Sequence, residues 1–259
     1  MKIATFNING IKARLPALLD WVAESSPDVA VLQEIKSLDE TFPRKEIEAA
    51  GYAVETHGQK GFNGVAILSR VPLEGVRRGL PGDPEDAQAR WIEARIPGDH
   101  PLRICGLYLP NGNPAPGPKY DYKLRWMERL AARTAELIAD ETPALVAGDF
   151  NVIPQAEDCH DPAVWARDAL FLPQTRAAYR RVLYQGYTDA IRTVDLAPGV
   201  YTFWDYQAGA WQKGHGIRID HILLTPQAAD RLEAAGIDRE VRSREKPSDH
   251  VPVWAEIAA

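Results

Sequence analysis

The chain has 259 residues, 45% of them apolar and 25% charged, a composition ordinary for a soluble enzyme near the upper size of one hydrophobic core. No window approaches a membrane-spanning apolar length, so no membrane span is expected. Cys105 and Cys159 are too few and too far apart for a disulfide framework or a close-spaced thiolate zinc site.

The formal net charge of -6 counts against a broadly basic nucleic-acid binder. Binding depends on where charges lie, however, and local basic clusters remain. They fall at Lys60, Arg70, Arg77 and Arg78; at Lys119, Lys123, Arg125, Arg129 and Arg133; and at Arg176, Arg180 and Arg181. Each also reads as a solvated helix face, and composition alone does not choose.

In chain order, a strand is predicted over residues 2–8, a helix over 15–24 and a strand over 29–33. Strands follow over 65–69, 89–96 and 103–109, then a long amphipathic helix over 120–139 and a strand over 144–147. Next come a helix over 173–185, with Pro173 allowed in its first turn, and strands over 201–204, 218–224 and 251–257. The start of the chain runs straight into the first strand without the apolar stretch of a signal peptide, so a cytoplasmic protein is expected. Strands adjoin one another without helices around 65–110, which predicts a mixed or antiparallel sheet core with helices outside. PNGNPAPGP at 110–118 reads as a fixed rim loop, and no linker divides the chain, so one domain over 1–259 is expected.

Several apolar runs end on oxygen-bearing side chains: Asn7, Glu34, Asp149 with Asn151, Asp220, and Asp249 with His250. Carboxylate and carboxamide oxygens suit Mg²⁺ or Mn²⁺ and, through the metal, phosphate chemistry. In PALVAGDFN, extended geometry would turn Asp149 and Asn151 to one side and Phe150 to the other. Asp220 lies inside an apolar strand, which is unfavourable unless the carboxylate is paired. His250 is the neutral-pH base of the set, and Asp220, arriving from another strand, is a better orienter for it than adjacent Asp249. Taken singly, Asn7 reads as a turn or cap residue, whereas for AGDFN a strand-end turn is only the alternative to a functional pair. Phe203, Trp204, Tyr206 and Trp211 form an aromatic cluster that either packs or stacks against bases.

Together the motifs resemble bacterial exonuclease III, the abasic-site endonuclease branch of the endonuclease/exonuclease/phosphatase superfamily. They are FNINGIKAR at 6–14, LQEIK at 32–36, GFNGVAILSR at 61–70, YLPNGN at 108–113 and YKLRWMERL at 122–130, followed by AGDFNVIP at 147–154, TFWDYQAGAW at 202–211, GIRIDHILL at 216–224 and PSDH at 247–250. The resemblance implies a four-layer α/β sandwich with two packed mixed sheets flanked by helices, of the deoxyribonuclease I type. It implies Glu34 as principal metal carboxylate, with Asn7 beside it and Asp249 near a second metal position. Asp149 would align the attacking water, Asn151 would orient Asp149, Tyr108 and His250 would contact the phosphate, and Asp220 would pair with His250. DNA contacts are implied at Arg90, Asn111, Asn113, Lys119, Lys123, Arg125, Phe203, Trp204 and Arg218. His215 departs from a position often held by asparagine.

The expected activity is Mg²⁺-dependent hydrolysis, with Mn²⁺ as substitute, 5′ to abasic sites and from 3′ ends of double-stranded DNA, by a monomer. A phosphodiesterase acting on phospholipid or inositol phosphate would share the metal residues but leave TFWDYQAGAW unexplained. A noncatalytic DNA-binding module would be expected to lack one of Glu34, Asp149, Asn151 or His250.

Overall fold

The computed structural model describes residues 1–258. Its elements in chain order are β1 (Lys2–Asn7), α1 (Ile11–Ser25), β2 (Val29–Gln33), α2 (Arg44–Ala49), β3 (Ala53–His57), β4 (Val65–Ser69), β5 (Glu74–Arg78), β6 (Trp91–Ile96), β7 (Leu102–Tyr108) and α3 (Pro118–Ala139). There follow β8 (Ala144–Asp149), α4 (Pro162–Trp165), α5 (Pro173–Leu183), β9 (Thr188–Asp189), α6 (Ala190–Val194), α7 (Ala210–Lys213), β10 (Asp220–Leu224), α8 (Pro226–Ala229), β11 (Leu232–Ile237) and β12 (Val253–Ile257). The strands form two six-stranded sheets, in the orders β11-β12-β1-β2-β4-β3 and β5-β6-β7-β8-β10-β9. The pairs β1–β2 and β7–β8 are parallel. The sheets pack face to face with helices outside, the α/β sandwich expected.

Alternation along the strands builds these layers. Ile3, Val29, Val31, Ile67, Ile104, Leu145 and Ile222 turn inward and fill the space between the sheets. Ala4, Phe6 and Leu32 turn outward beneath Leu18, Trp21 and Val22 of α1. Cys105, Leu107 and Val146 pack under Trp126, Met127 and Leu130 of α3 and Tyr179 of α5. Residues 201–204 form no strand, because Phe203 makes only single bridges, to Ile217 on one side and His250 on the other. Strands β3, β5, β9 and β11 escaped the sequence reading. All four stand at sheet edges; β5 and β11 bury little and carry a weak alternating signal, β9 has two residues, and β3 alternates but offers few apolar side chains.

The inward-facing stripes change character toward one end. On β1 the order is Ile3, Thr5, Asn7; on β2, Val29, Val31, Gln33; on β7, Ile104, Gly106, Tyr108; on β8, Leu145, Ala147, Asp149; and on β10, read backwards, Leu224, Ile222, Asp220. Thr5 and Gln33 satisfy each other across β1 and β2, with the Gln33 amide donating to the Thr5 hydroxyl at 2.9 Å. The dry interface thus ends in a polar rim. Gly106 sets how closely the sheets approach, since a Cβ there would lie 2.3 Å from Val31 Cγ1.

Behind the rim lies a buried ionic cluster. Arg218 Nε donates to Asp158 at 2.7 Å and Nη1 to Asp189 at 2.7 Å. Its Nη1 also lies 3.0 Å from His221 Nδ1. A guanidinium offers no acceptor, so Nδ1 accepts, and Nε2 carries the proton donated to the Val152 carbonyl at 3.1 Å. Burial, reinforced by the Arg218 charge, pulls His221 down to about 4. Hydrogen bonds and charge from Arg218 outweigh burial at Asp158 and Asp189 and hold both carboxyls below their ordinary range.

Two outcomes are expected. Gly106→Ala should lower the urea midpoint by about 1–3 kcal/mol of stability through overpacking, and adding Val31→Ala should recover part of the loss. Because the folded protein resists protonating His221, its stabilising contribution is complete above pH 6.5 and falls as pH drops from 6.5 toward about 4. Asp158 and Asp189 lose their contribution only below 3.8. Relative to His221→Gln, the wild type should lose roughly 2–3 kcal/mol of stability between pH 7 and 4.5 in urea titrations, because contributions from other groups cancel in the difference.

Candidate active site

The polar rim gathers residues from both sheets. In register, Asp149 at the end of β8 lies between Tyr108 on β7 and Asp220 on β10, so all three side chains face the same side. Asn7 closes β1 opposite them. Glu34 comes immediately after β2 and Asn151 two residues after β8, both with positive φ, 49° and 46°. That left-handed turn ends each strand and swings the side chain sideways into the gap.

The hydrogen bonds form one connected set. Asn7 Nδ2 donates to Glu34 Oε1 at 3.0 Å and to Asp149 Oδ2 at 2.9 Å. The Asn9 amide donates to Asn7 Oδ1 at 3.0 Å, which fixes the orientation of the Asn7 carboxamide. Asn151 N–H donates to Asp149 Oδ1 at 2.8 Å, and its side-chain amide donates to the Leu109 carbonyl at 2.9 Å. His250 Nδ1 lies 2.9 Å from Asp220 Oδ2, while Nε2 faces Asp149 Oδ2 at 3.8 Å. Lys36 Nζ pairs with Glu34 Oε2 at 2.8 Å. Asn9 Nδ2 donates to Asp249 Oδ1 at 2.9 Å.

This concentration of carboxylates shapes the protonation states. Burial raises the Glu34 carboxyl, but hydrogen bonds from Lys36 and Asn7 outweigh it and hold the group below its usual range. Burial pushes Asp149 upward against the His250 charge, with Asp220 and Glu34 adding to the rise. Burial alone would lower His250, yet the Asp220 carboxylate outweighs it and drives the imidazole well up. Burial, then the charges of Glu34 and Asp149, keeps the Tyr108 phenol protonated.

Glu34, Asp149 and His250 place ligand-capable atoms within 4.8 Å of one another, a candidate metal centre. Within this set the anionic donors are the carboxylate oxygens of Glu34 and Asp149. Their hard, anionic character fits a divalent ion such as Mg²⁺. The ligand set expected from the resemblance was Glu34, Asn7 and Asp249. Asn7 turns its nitrogen to the carboxylates because Asn9 takes its oxygen. Asp249 lies outside the close cluster, held by Asn9.

A cavity of about 300 Å³ opens beside these groups. Trp165, Leu170, Phe203, Ile217 and Ile219 form its apolar wall, and Asn111 and Asp168 stand on the polar side. Phe203 packs edge-on against His250, with centroids 4.9 Å apart. His215 stacks on His160 at 4.5 Å, and His160 in turn packs against Trp165.

The other residues expected at DNA divide into three groups. Lys119, Arg125 and Asn111 are exposed. Arg90 lies over the Tyr108 ring at 4.8 Å and donates to the Tyr108 carbonyl, while the Asn113 amide is engaged by Asp168 and Asn111. Trp204, Arg218 and Lys123 are corrected: they are 1%, 1% and 0% exposed, and none presents a surface to DNA. Trp204 stacks edge-on with Trp211 under Arg239. Arg218 is consumed by Asp158 and Asp189, and Lys123 by main-chain carbonyls. Sequence reasoning passed over Lys36 and Trp165. Lys36 was visible in LQEIK, two residues from the carboxylate it pairs with. Trp165 sits in an irregular segment whose place at the cavity no local pattern announces.

Comparison with known proteins agrees with this geometry. The profile described as Endonuclease/Exonuclease/phosphatase family matches residues 4–250. Exodeoxyribonuclease III of Haemophilus influenzae is 37% identical, with 99% of each chain covered. A Neisseria 3′ phosphatase solved with a product DNA hairpin is 36% identical and superposes with a TM-score of 0.96 over 100% of both chains. An AP endonuclease from Archaeoglobus fulgidus is 38% identical, with a TM-score of 0.94 and 100% coverage of both chains. By sequence and by fold over its whole length, this chain belongs to the exonuclease III and AP endonuclease branch of the endonuclease/exonuclease/phosphatase family.

Proposed function

We propose that the protein is a metal-dependent DNA-repair nuclease acting in the cytoplasm as a monomer, with residues 1–259 as one catalytic domain. It hydrolyses the phosphodiester 5′ to abasic sites and removes 3′-terminal nucleotides or blocking groups from duplex DNA. The observation that carries this reading is the metal-capable cluster of Glu34, Asp149 and His250 beside a small, partly apolar cavity. The matched relatives are an exodeoxyribonuclease III, a 3′ phosphatase and an AP endonuclease, and they supply the substrate class.

Glu34 would be the chief holder of a divalent ion, Mg²⁺ with Mn²⁺ as substitute, which would supply positive charge to the phosphoryl oxygen and the departing 3′-oxygen. Asp149 aligns a water molecule and accepts its proton, a task suited to a carboxyl raised by burial. Asn151 N–H holds the carboxylate in orientation for that role. The His250 imidazolium, kept charged by Asp220, and the Tyr108 hydroxyl donate to phosphate oxygens as negative charge grows on them. Asn7 keeps Glu34 and Asp149 apart with two hydrogen bonds from one amide. An abasic sugar fits the wall at Phe203, whereas a sugar bearing its base meets the aromatic and aliphatic side chains.

Asp149→Ala should lower turnover by about 10²–10⁴-fold while leaving DNA affinity close to wild type. Incision near the wild-type rate would remove Asp149 from this role. End-labelled abasic, nicked, blunt and intact duplexes, each with Mg²⁺, Mn²⁺ or chelator, test substrate and metal together. Cutting is expected at abasic sites and 3′ ends, to stop with chelator, and to lose selectivity in Phe203→Ala. Equal cutting of intact and abasic duplex by the wild type would contradict the pocket reading.

A further inference from the structure

We infer that Lys123 is a positioning residue for the catalytic step, tying the PNGN loop and the turn after β8 together so that Asn151 presents its N–H to Asp149. This rests on the hydrolytic reading above, in which Asp149 acts on the water.

Lys123 lies on α3 and is fully buried, an unusual place for an ammonium group. Its Nζ donates to the Asn151 carbonyl at 2.6 Å and to the Asn111 carbonyl at 3.0 Å. Both acceptors are neutral main-chain oxygens rather than carboxylates, so no ion pair repays the desolvation. The stem is enclosed as tightly as the head. A Cβ on Gly112, which has φ +91°, would fall 2.7 Å from Lys123 Cδ, so the loop lies directly on the side chain. The amine drops to about 7, driven by burial against the upward pull of Asp149 and Asp168. It keeps N–H donors in either protonation state, so the two hydrogen bonds persist.

The consequence falls on Asn151. Its left-handed backbone directs its carbonyl to Lys123 and its N–H to Asp149 Oδ1 at 2.8 Å. Its side chain accepts from Asn111 Nδ2 at 3.2 Å and donates to Leu109 O. Lys123 therefore grips both partners of the Asn111–Asn151 contact through their main chains. Without it the buried Asn151 carbonyl and the Asn111 carbonyl lose this donor, and the peptide that orients the Asp149 carboxylate can rotate. Lys123 touches no reacting atom in this scheme; it acts through Asn151.

The test compares wild type, Lys123→Met and Lys123→Gln, using steady-state cleavage of an abasic duplex and the Asn151 amide signal in ¹⁵N–¹H spectra recorded without metal or DNA. In K123M, kcat should fall by roughly a hundredfold from the displaced carboxylate, with KM little changed, at temperatures where the protein is folded. The Asn151 amide signal should move toward that of an amide free of a carboxylate. K123Q, which retains a donor, should lie between, and it carries the test if K123M does not fold. Wild-type kcat in a folded variant, an effect on KM alone, or an unmoved Asn151 signal would overturn the inference. If neither variant folds, Lys123 is structural and the inference fails. Wild-type inactivity on every duplex would instead sink the nuclease reading, and the Asn151 signal would then decide the tether by itself.

Discussion

Carboxylates crowded at one end of a dry interface between sheets are the constraint on which the rest of the molecule depends. Glu34, Asp149 and Asp220 would repel one another strongly in surroundings of low dielectric. The fold answers with three different partners: an amide from Asn7 shared by two carboxylates, an ammonium from Lys36, and an imidazolium from His250. None of these is an Arg–carboxylate fork. The balance leaves a site still rich in negative oxygen, able to take a divalent cation and to hold one carboxyl ready for a proton.

The same rim needs stiffness, and much of it comes from buried polar groups that touch no substrate in the proposed scheme. Arg218 joins Asp158 to Asp189 immediately before Asp220 enters β10. Removing one member of such a cluster leaves an uncompensated buried charge, so its partners hold the backbone in register. Lys123 performs the corresponding task under Asn151. Cations that resemble DNA contacts in the sequence are here internal braces beneath the candidate site.

Much of this was legible in the chain. Apolar runs ending on Asn7, Glu34, Asp149 and Asp220 reported strands that finish at a common edge, because an inward-facing stripe can become polar only where the interface ends. The long helix, expected over 120–139 and found over Pro118–Ala139, and the inner strands were visible through their periodicity. Edge strands were not, since β5 and β11 bury too little to alternate clearly. Residues 201–204 looked like a strand because they are largely aromatic, yet Phe203 pairs only through isolated bridges to Ile217 and His250, both outside the strands.

The sequence by itself determined which chemical groups stand at the strand ends, and its ordered motifs identified the family. Only the tertiary structure decided their division of labour. It showed that Asn7 offers nitrogen rather than oxygen, that Asp249 stands outside the close cluster, and that Phe203 rather than Trp204 meets the cavity. It also turned Lys123 and Arg218 inward. The physical reason is that residue type and spacing specify what a side chain can donate or accept. Burial and the nearest partner, often more than a hundred residues away, specify what it does donate to, and those exist only once the two sheets have closed.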